Sequence, residues 1–237
     1  MLFRSLTAKF ELGLFEQPYP DPEMLGRALH TREADALNRT LAAEAVTLLK
    51  NSRGTLPLSD GIRKIAVIGP HADSVRSYFG TFSYPAAIDM TMSREEDGQI
   101  FEEPGLIVYD IQQKYPGEVR ETSPRVEKRI RRDFPNAVPL VEAVRWRAPQ
   151  SEVKGARGIN CAGSDTGGMR EALNIAADAD VIIPTLGGKN GWGVTSTVGE
   201  GVDSTDIDLP GRQEEFARAV FALNRKTVVV HFDGRPL

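Results

Sequence analysis

The chain has 237 residues, 41% of them hydrophobic and 26% charged, which suits a folded globular protein and excludes a collagen-like, coiled-coil or wholly disordered one. Lys plus Arg number 29 against 33 Asp plus Glu, a net charge of −4, so no overall positive field exists to attract a nucleic-acid backbone. A lone cysteine, Cys161, makes no internal disulfide, and His30, His71 and His231 lie too far apart for a ligand motif, so neither a metal nor any other cofactor is expected.

At the N-terminus, Leu2, Phe3, Leu6, Phe10 and Leu14 recur at helical spacing, and Pro18, Pro20 and Pro22 then stop any helix with a stiff linker. Arg4, Lys9 and Glu11 interrupt these apolar residues, so the segment lacks a secretory core. No apolar run reaches the roughly 20 residues of a membrane span, and a soluble protein is expected. Thr31 predicts the cap of a second helix, with Glu33 in its first turn. Ala34, Leu37, Leu41, Ala45 and Leu48 line one face of that helix, which ends in residues 51–54. Lys64 to Pro70, a short apolar run closed by Gly-Pro, predicts a strand buried on both faces, as in a parallel sheet.

Between residues 94 and 136 charges crowd the sequence, and the segment reads as an insertion. Its cluster of Arg125, Lys128, Arg129, Arg131 and Arg132 is either a solvated helix face or a patch for an acidic partner. Beyond it a weaker strand is expected over residues 152–156, a helix over 168–178 and a strand over 181–186 that Pro184 weakens. A helix over 210–223 and a strand over 227–232 complete the pattern. Helices alternating with buried strands predict an α/β fold, a three-layer α/β/α sandwich with a mostly parallel and truncated sheet behind a helical linker.

Several segments, taken in order, resemble glycoside hydrolase family 3, the retaining β-glucosidases and β-xylosidases. Residues 9–19 are similar to the end of that family's catalytic barrel and its exit linker. Residues 43–51, Leu56-Pro-Leu58 and residues 65–73 resemble the entry into its second domain. Residues 179–183, Gly199-Glu-Gly-Val-Asp203, residues 207–213 and Gly234-Arg-Pro-Leu237 continue the order. Tyr84-Pro85 leans toward the xylosidase-like branch. The insertion matches nothing in the family.

The resemblance implies a two-domain enzyme with its nucleophilic aspartate in a TIM barrel and its acid/base glutamate on a loop of the second domain. It divides this chain into a terminal barrel helix with linker, residues 1–30, and the sandwich, residues 31–237. On that basis the nucleophile is missing, the sheet stops after Gly-Arg-Pro, and the chain alone is expected to be inactive. The expected partners are a β-linked glucoside or xyloside and a TIM-barrel domain in the same chain. An uncovered sheet edge would further favour a homo-oligomer.

Glu200 is the candidate proton donor, since it lies in the Gly-rich loop 187–201 at the carboxyl end of a strand, where α/β ligands gather. A solvated loop carboxylate is the alternative. Trp192 either stacks on a sugar face or packs on the sheet edge. Asp203 is a candidate substrate contact, although Ser204 stands where the family often has Arg. Asp206 and Asp208 suit the start of the following helix. The loop has neither the P-loop nor the dinucleotide glycine pattern. His71 reads as a turn residue, His231 as a core histidine and Cys161 as a small buried filler. The rival function is a non-catalytic carbohydrate-binding or self-associating module.

Overall fold

The structure, a computed structural model, describes residues 2–29, 31–96, 121–192, 196–200, 202 and 206–234. The chain forms two compact units, residues 1–54 and 55–237.

Among the described residues the first unit holds the α-helices α1 (Leu2–Glu11), α2 (Pro22–Ala28) and α3 (Arg32–Glu44). Gly13, at φ +66, follows α1 in the left-handed conformation that commonly ends a helix, so the helix is shorter than the apolar spacing up to Leu14 predicts. The Thr31 hydroxyl accepts the Ala34 amide at 3.2 Å, the expected cap of α3. That helix ends at Glu44, however, and its predicted continuation through Leu48 is not helical. The β-branched pair Val46-Thr47 is a poor extension, and Leu37, Leu41 and Leu48 are exposed, so no burial offsets that cost.

The second unit is built on a parallel sheet: β1 (Lys64–Ile68), β2 (Glu152–Ala156), β3 (Val181–Gly187), β6 (Lys226–Thr227) and β7 (Val230–Phe232). The order is β2-β1-β3, with β6 and β7 both on the far side of β3. Ile65 pairs with Val153 on one side and Val181 on the other, and Thr185 pairs with Val230. The period-2 alternation of strands then divides the core. Ala66, Ile68 and Ile182 face α7 (Met169–Ala177) and α8 (Gln213–Ala222), meeting Ala172, Ala176, Phe216 and Val220. Ile65, Val67, Val181 and Ile183 face the other way, with Val141 of α6 (Leu140–Arg147). Helices on both faces of a parallel sheet make the α/β sandwich that the sequence predicts.

Two more helices flank this body: α4 (Tyr84–Glu96), and α5 (Pro124–Asp133) at the end of the predicted insertion. The basic cluster belongs to α5, whose other face buries Val126 and Ile130 against Val75. Arg131 pairs with Asp73 and Glu142, and Arg129 with Asp133, so these two cations fasten the helix locally. Residues 97–120 of the insertion lie outside the described residues.

Three differences from the predicted elements have local causes. Pro210 and Gly211 form a turn ahead of α8, which starts at Gln213 because Gly211 sits at φ +61. The last predicted strand is split at Val228-Val229, where the Val228 amide still donates to Ile182 O at 2.9 Å. His231 is exposed on β7 rather than in the core, because alternation along this strand turns it away while Val230 and Phe232 are half-buried. No described helix is long and apolar enough to cross a membrane.

Candidate active site

Loops leaving the carboxyl ends of β1, β3 and β7 converge on one small ribbon. It consists of β4 (Asn190–Trp192) and β5 (Val198–Glu200), paired in parallel with Trp192 opposite Glu200. The loop after β1 supplies Arg76 and Thr81, and the segment after β7 supplies Asp233.

The chain leaves β3 through Gly187, at φ +116, where a Cβ would lie 1.9 Å from Phe232 O. Only glycine fits there. The side-chain amide of fully buried Gln213 closes the strand end. Its Oε1 accepts the Gly187 amide at 2.7 Å, while its Nε2 donates to Gly187 O and to Cys161 O, each at 2.6 Å. The carboxylate of Asp233 then accepts the Gly188 amide at 2.9 Å.

His71 packs beneath this turn, 2% exposed, and its ring lies 5.1 Å from that of Phe232. Nε2 is 3.3 Å from Gly187 O, an acceptor only, so the proton sits on Nε2 and Nδ1 accepts from the Ser77 hydroxyl at 2.8 Å. Burial outweighs the help of that carbonyl and brings the imidazole down to about 4, which makes it a neutral support at neutral pH. His71 is thus more than a turn residue. Cys161 is buried, and burial raises its thiol well above the ordinary range, which fits a filler and not a nucleophile.

The ribbon is fastened to the body by a buried ionic group. Arg76, 1% exposed, donates from Nε to Asp89 of α4 at 3.0 Å. Its other nitrogens donate to Phe79 O at 2.8 Å and to Asn190 O at 2.7 Å. Lys189 approaches the same Asp89 oxygen at 2.7 Å. Glu127 of α5 accepts the amides of Val75 and Arg76 and the hydroxyl of Ser74, which holds the Arg76–Tyr78 turn in place. Thr81 bonds Asn190 Oδ1 and Gly191 O, and Thr197 Oγ1 accepts the Lys189 amide at 2.8 Å. Gly199, at φ +143, allows the two ribbon strands to meet, since a Cβ there would lie 1.9 Å from Gly191 O.

The outer end of the ribbon carries the predicted site residues. Glu200 is exposed, and its Oε2 accepts the indole N–H of Trp192 at 2.9 Å. Trp192 forms a T-shaped pair with Phe82, ring centroids 5.7 Å apart, and Phe82 is itself 84% exposed. The structure therefore brings Glu200 and Trp192 together. Asp203 lies outside the described residues, and Asp206 is exposed in the approach to α8, where its carboxylate accepts the Asp208 amide. Among the described residues no group of three His, Cys, Asp or Glu side chains could hold a metal ion. Sequence reasoning missed Phe82, Arg76, Asp89 and Gln213. Phe82 had one available signal, an aromatic between Thr81 and Ser83 outside any apolar periodicity. Arg76 and Asp89 gave no local pattern, since Arg76 reaches Asp89 and Asn190 across 13 and 114 positions, and Gln213, although it closes the family-like segment 207–213, reaches Gly187 across 26.

In α/β sheets of this kind ligands generally gather beyond the carboxyl ends of the strands, the edge on which Glu200 and the Trp192–Phe82 pair lie. Comparison with known proteins gives the family. Residues 46–237 match the glycosyl hydrolase family 3 C-terminal domain, and the chain belongs to this family. A β-xylosidase of Formosa agariphila is 26% identical over 99% of the chain, and a periplasmic β-glucosidase of Salmonella typhimurium 28% identical over 98%. The chain spans about a quarter of the length of these relatives, 26% and 27% respectively. The solved structure of a β-glucosidase from Erythrobacter marinus superposes with a TM-score of 0.61 at 27% identity, covering 98% of this chain and 28% of that one.

Proposed function

We propose that the chain supplies the proton-donating half of a retaining β-glycosidase site, acting on a β-linked glucoside or xyloside. Retention requires one carboxylate to attack the anomeric carbon and a second carboxyl group, roughly 5 to 5.5 Å away, to protonate the leaving oxygen. Glu200 is the second of these. Its exposed carboxyl group on the ribbon at the strand ends is the observation that carries the reading. The attacking carboxylate comes from the barrel that the longer relatives have room for. In the first step Glu200 gives its proton to the glycosidic oxygen as the bond to the anomeric carbon breaks. In the second it takes a proton from the water that releases the sugar.

Turnover of chromogenic β-glucosides and β-xylosides tests the proposal. The 237-residue chain alone is expected to give none, whereas the full-length protein is active and loses at least about a hundredfold in Glu200→Gln. Activity that survives Glu200→Gln in the full-length protein overturns the assignment. Full turnover by the isolated chain would show that no second lobe is needed. An inactive full-length protein that still binds the sugar would instead establish a carbohydrate-binding module.

A further inference from the structure

We infer that Trp192 is the positioning residue of Glu200, with Phe82 bracing the indole, an inference that rests on the acid/base reading above. The indole N–H is a donor only and is committed to Oε2 of Glu200 at 2.9 Å. Oε2 is therefore fixed as an acceptor, and the proton that Glu200 hands over is carried on Oε1. An exposed glutamate otherwise samples many rotamers, and its transferable proton would point nowhere in particular. Three features hold the indole itself. The parallel register sets Trp192 beside Glu200, Gly199 brings the strands close, and Phe82 closes against the ring from the loop that follows β1. That loop is also anchored through Arg76 and Thr81, so the brace and the ribbon share one support.

Positioning of this kind affects proton donation and little else. In the full-length protein, Trp192→Phe is expected to lower kcat/KM about tenfold for aryl β-glycosides with poor leaving groups, which need the proton. For 2,4-dinitrophenyl glycosides, which leave unaided, kcat/KM should stay within about twofold. Phe82→Ala follows the same pattern at about threefold. A uniform loss across leaving groups would mean that Trp192 serves only binding or folding, and would overturn the inference.

A second measurement is independent of catalysis. In the 237-residue chain with Trp146→Phe, the single remaining indole N–H resonance reports Trp192. It is expected to shift on acidification, and to lose that response in Glu200→Gln, where no carboxylate accepts the indole N–H. A resonance blind to pH, or one that titrates unchanged in Glu200→Gln, refutes the contact. If the resonance titrates as expected but Glu200→Gln shows no leaving-group dependence, the acid/base reading fails while the contact stands.

Discussion

Strand β3 and the β4–β5 ribbon adjoin in sequence, yet opposite forces hold them. All seven residues of β3 are buried, and its position follows from apolar contact on both faces and from pairing with β1, β6 and β7. Val181, Ile182, Ile183 and Leu186 each contribute roughly 1.5 to 3 kcal/mol by leaving water. The ribbon has three-residue strands and little apolar surface to bury. Polar side chains fix it, Arg76, Thr81 and Asp89 from distant segments and Thr197 from beside β5, with Gln213 at its root. Apolar burial tolerates small shifts, whereas a guanidinium bonded to three separate acceptors or a side-chain amide bonded at both ends does not. The catalytic proposal needs that second property, because proton transfer depends on geometry to a fraction of an ångström.

The largest predicted effect sharpens the contrast from the polar side. Arg76→Met leaves Asp89 buried with a reduced partner set and frees Asn190 O, and should cost about 4 kcal/mol in urea unfolding. A cost below about 1 kcal/mol would show that the ribbon and its ionic anchor are separable from the body. Ile182→Ala probes the apolar side. It removes a fully buried side chain and should cost about 3.5 kcal/mol while leaving the Trp192 resonance in place, since the cavity lies between β3 and the helices.

Acid probes the junction between the two regions. The native state holds His71 neutral with its imidazole depressed to about 4, while the unfolded chain protonates it near 6.5. Its stabilising contribution is therefore complete above about pH 6.5 and is lost as the pH falls toward 4, roughly 3 kcal/mol over that window. Unfolding free energies measured across the window should show the loss, and His71→Gln should flatten it. The smallest effect is Thr197→Val, which removes one acceptor from the Lys189 amide. It should cost about 1 kcal/mol and accelerate hydrogen exchange at Lys189 before any other amide of the ribbon.

The sequence by itself determined the layered architecture. The strands over 64–68 and 181–187 announce themselves as continuous apolar runs, and the helices at 169–177 and 213–222 by their 3.6-residue period, because burial on a face imposes a short-range pattern. Glu200 and Trp192 were also legible, through the glycine-rich loop that carries them. Only the tertiary structure decided that these two side chains meet, that Phe82 closes on the indole, that Gln213 seals the end of β3 and that His231 faces outward. Hydrogen bonds and ring contacts between residues far apart in the chain leave no periodicity behind, and a three-residue strand is too short to show which way it faces. The fold followed from local repetition of apolar residues, while the candidate site came from polar groups that chain topology alone brings within bonding distance.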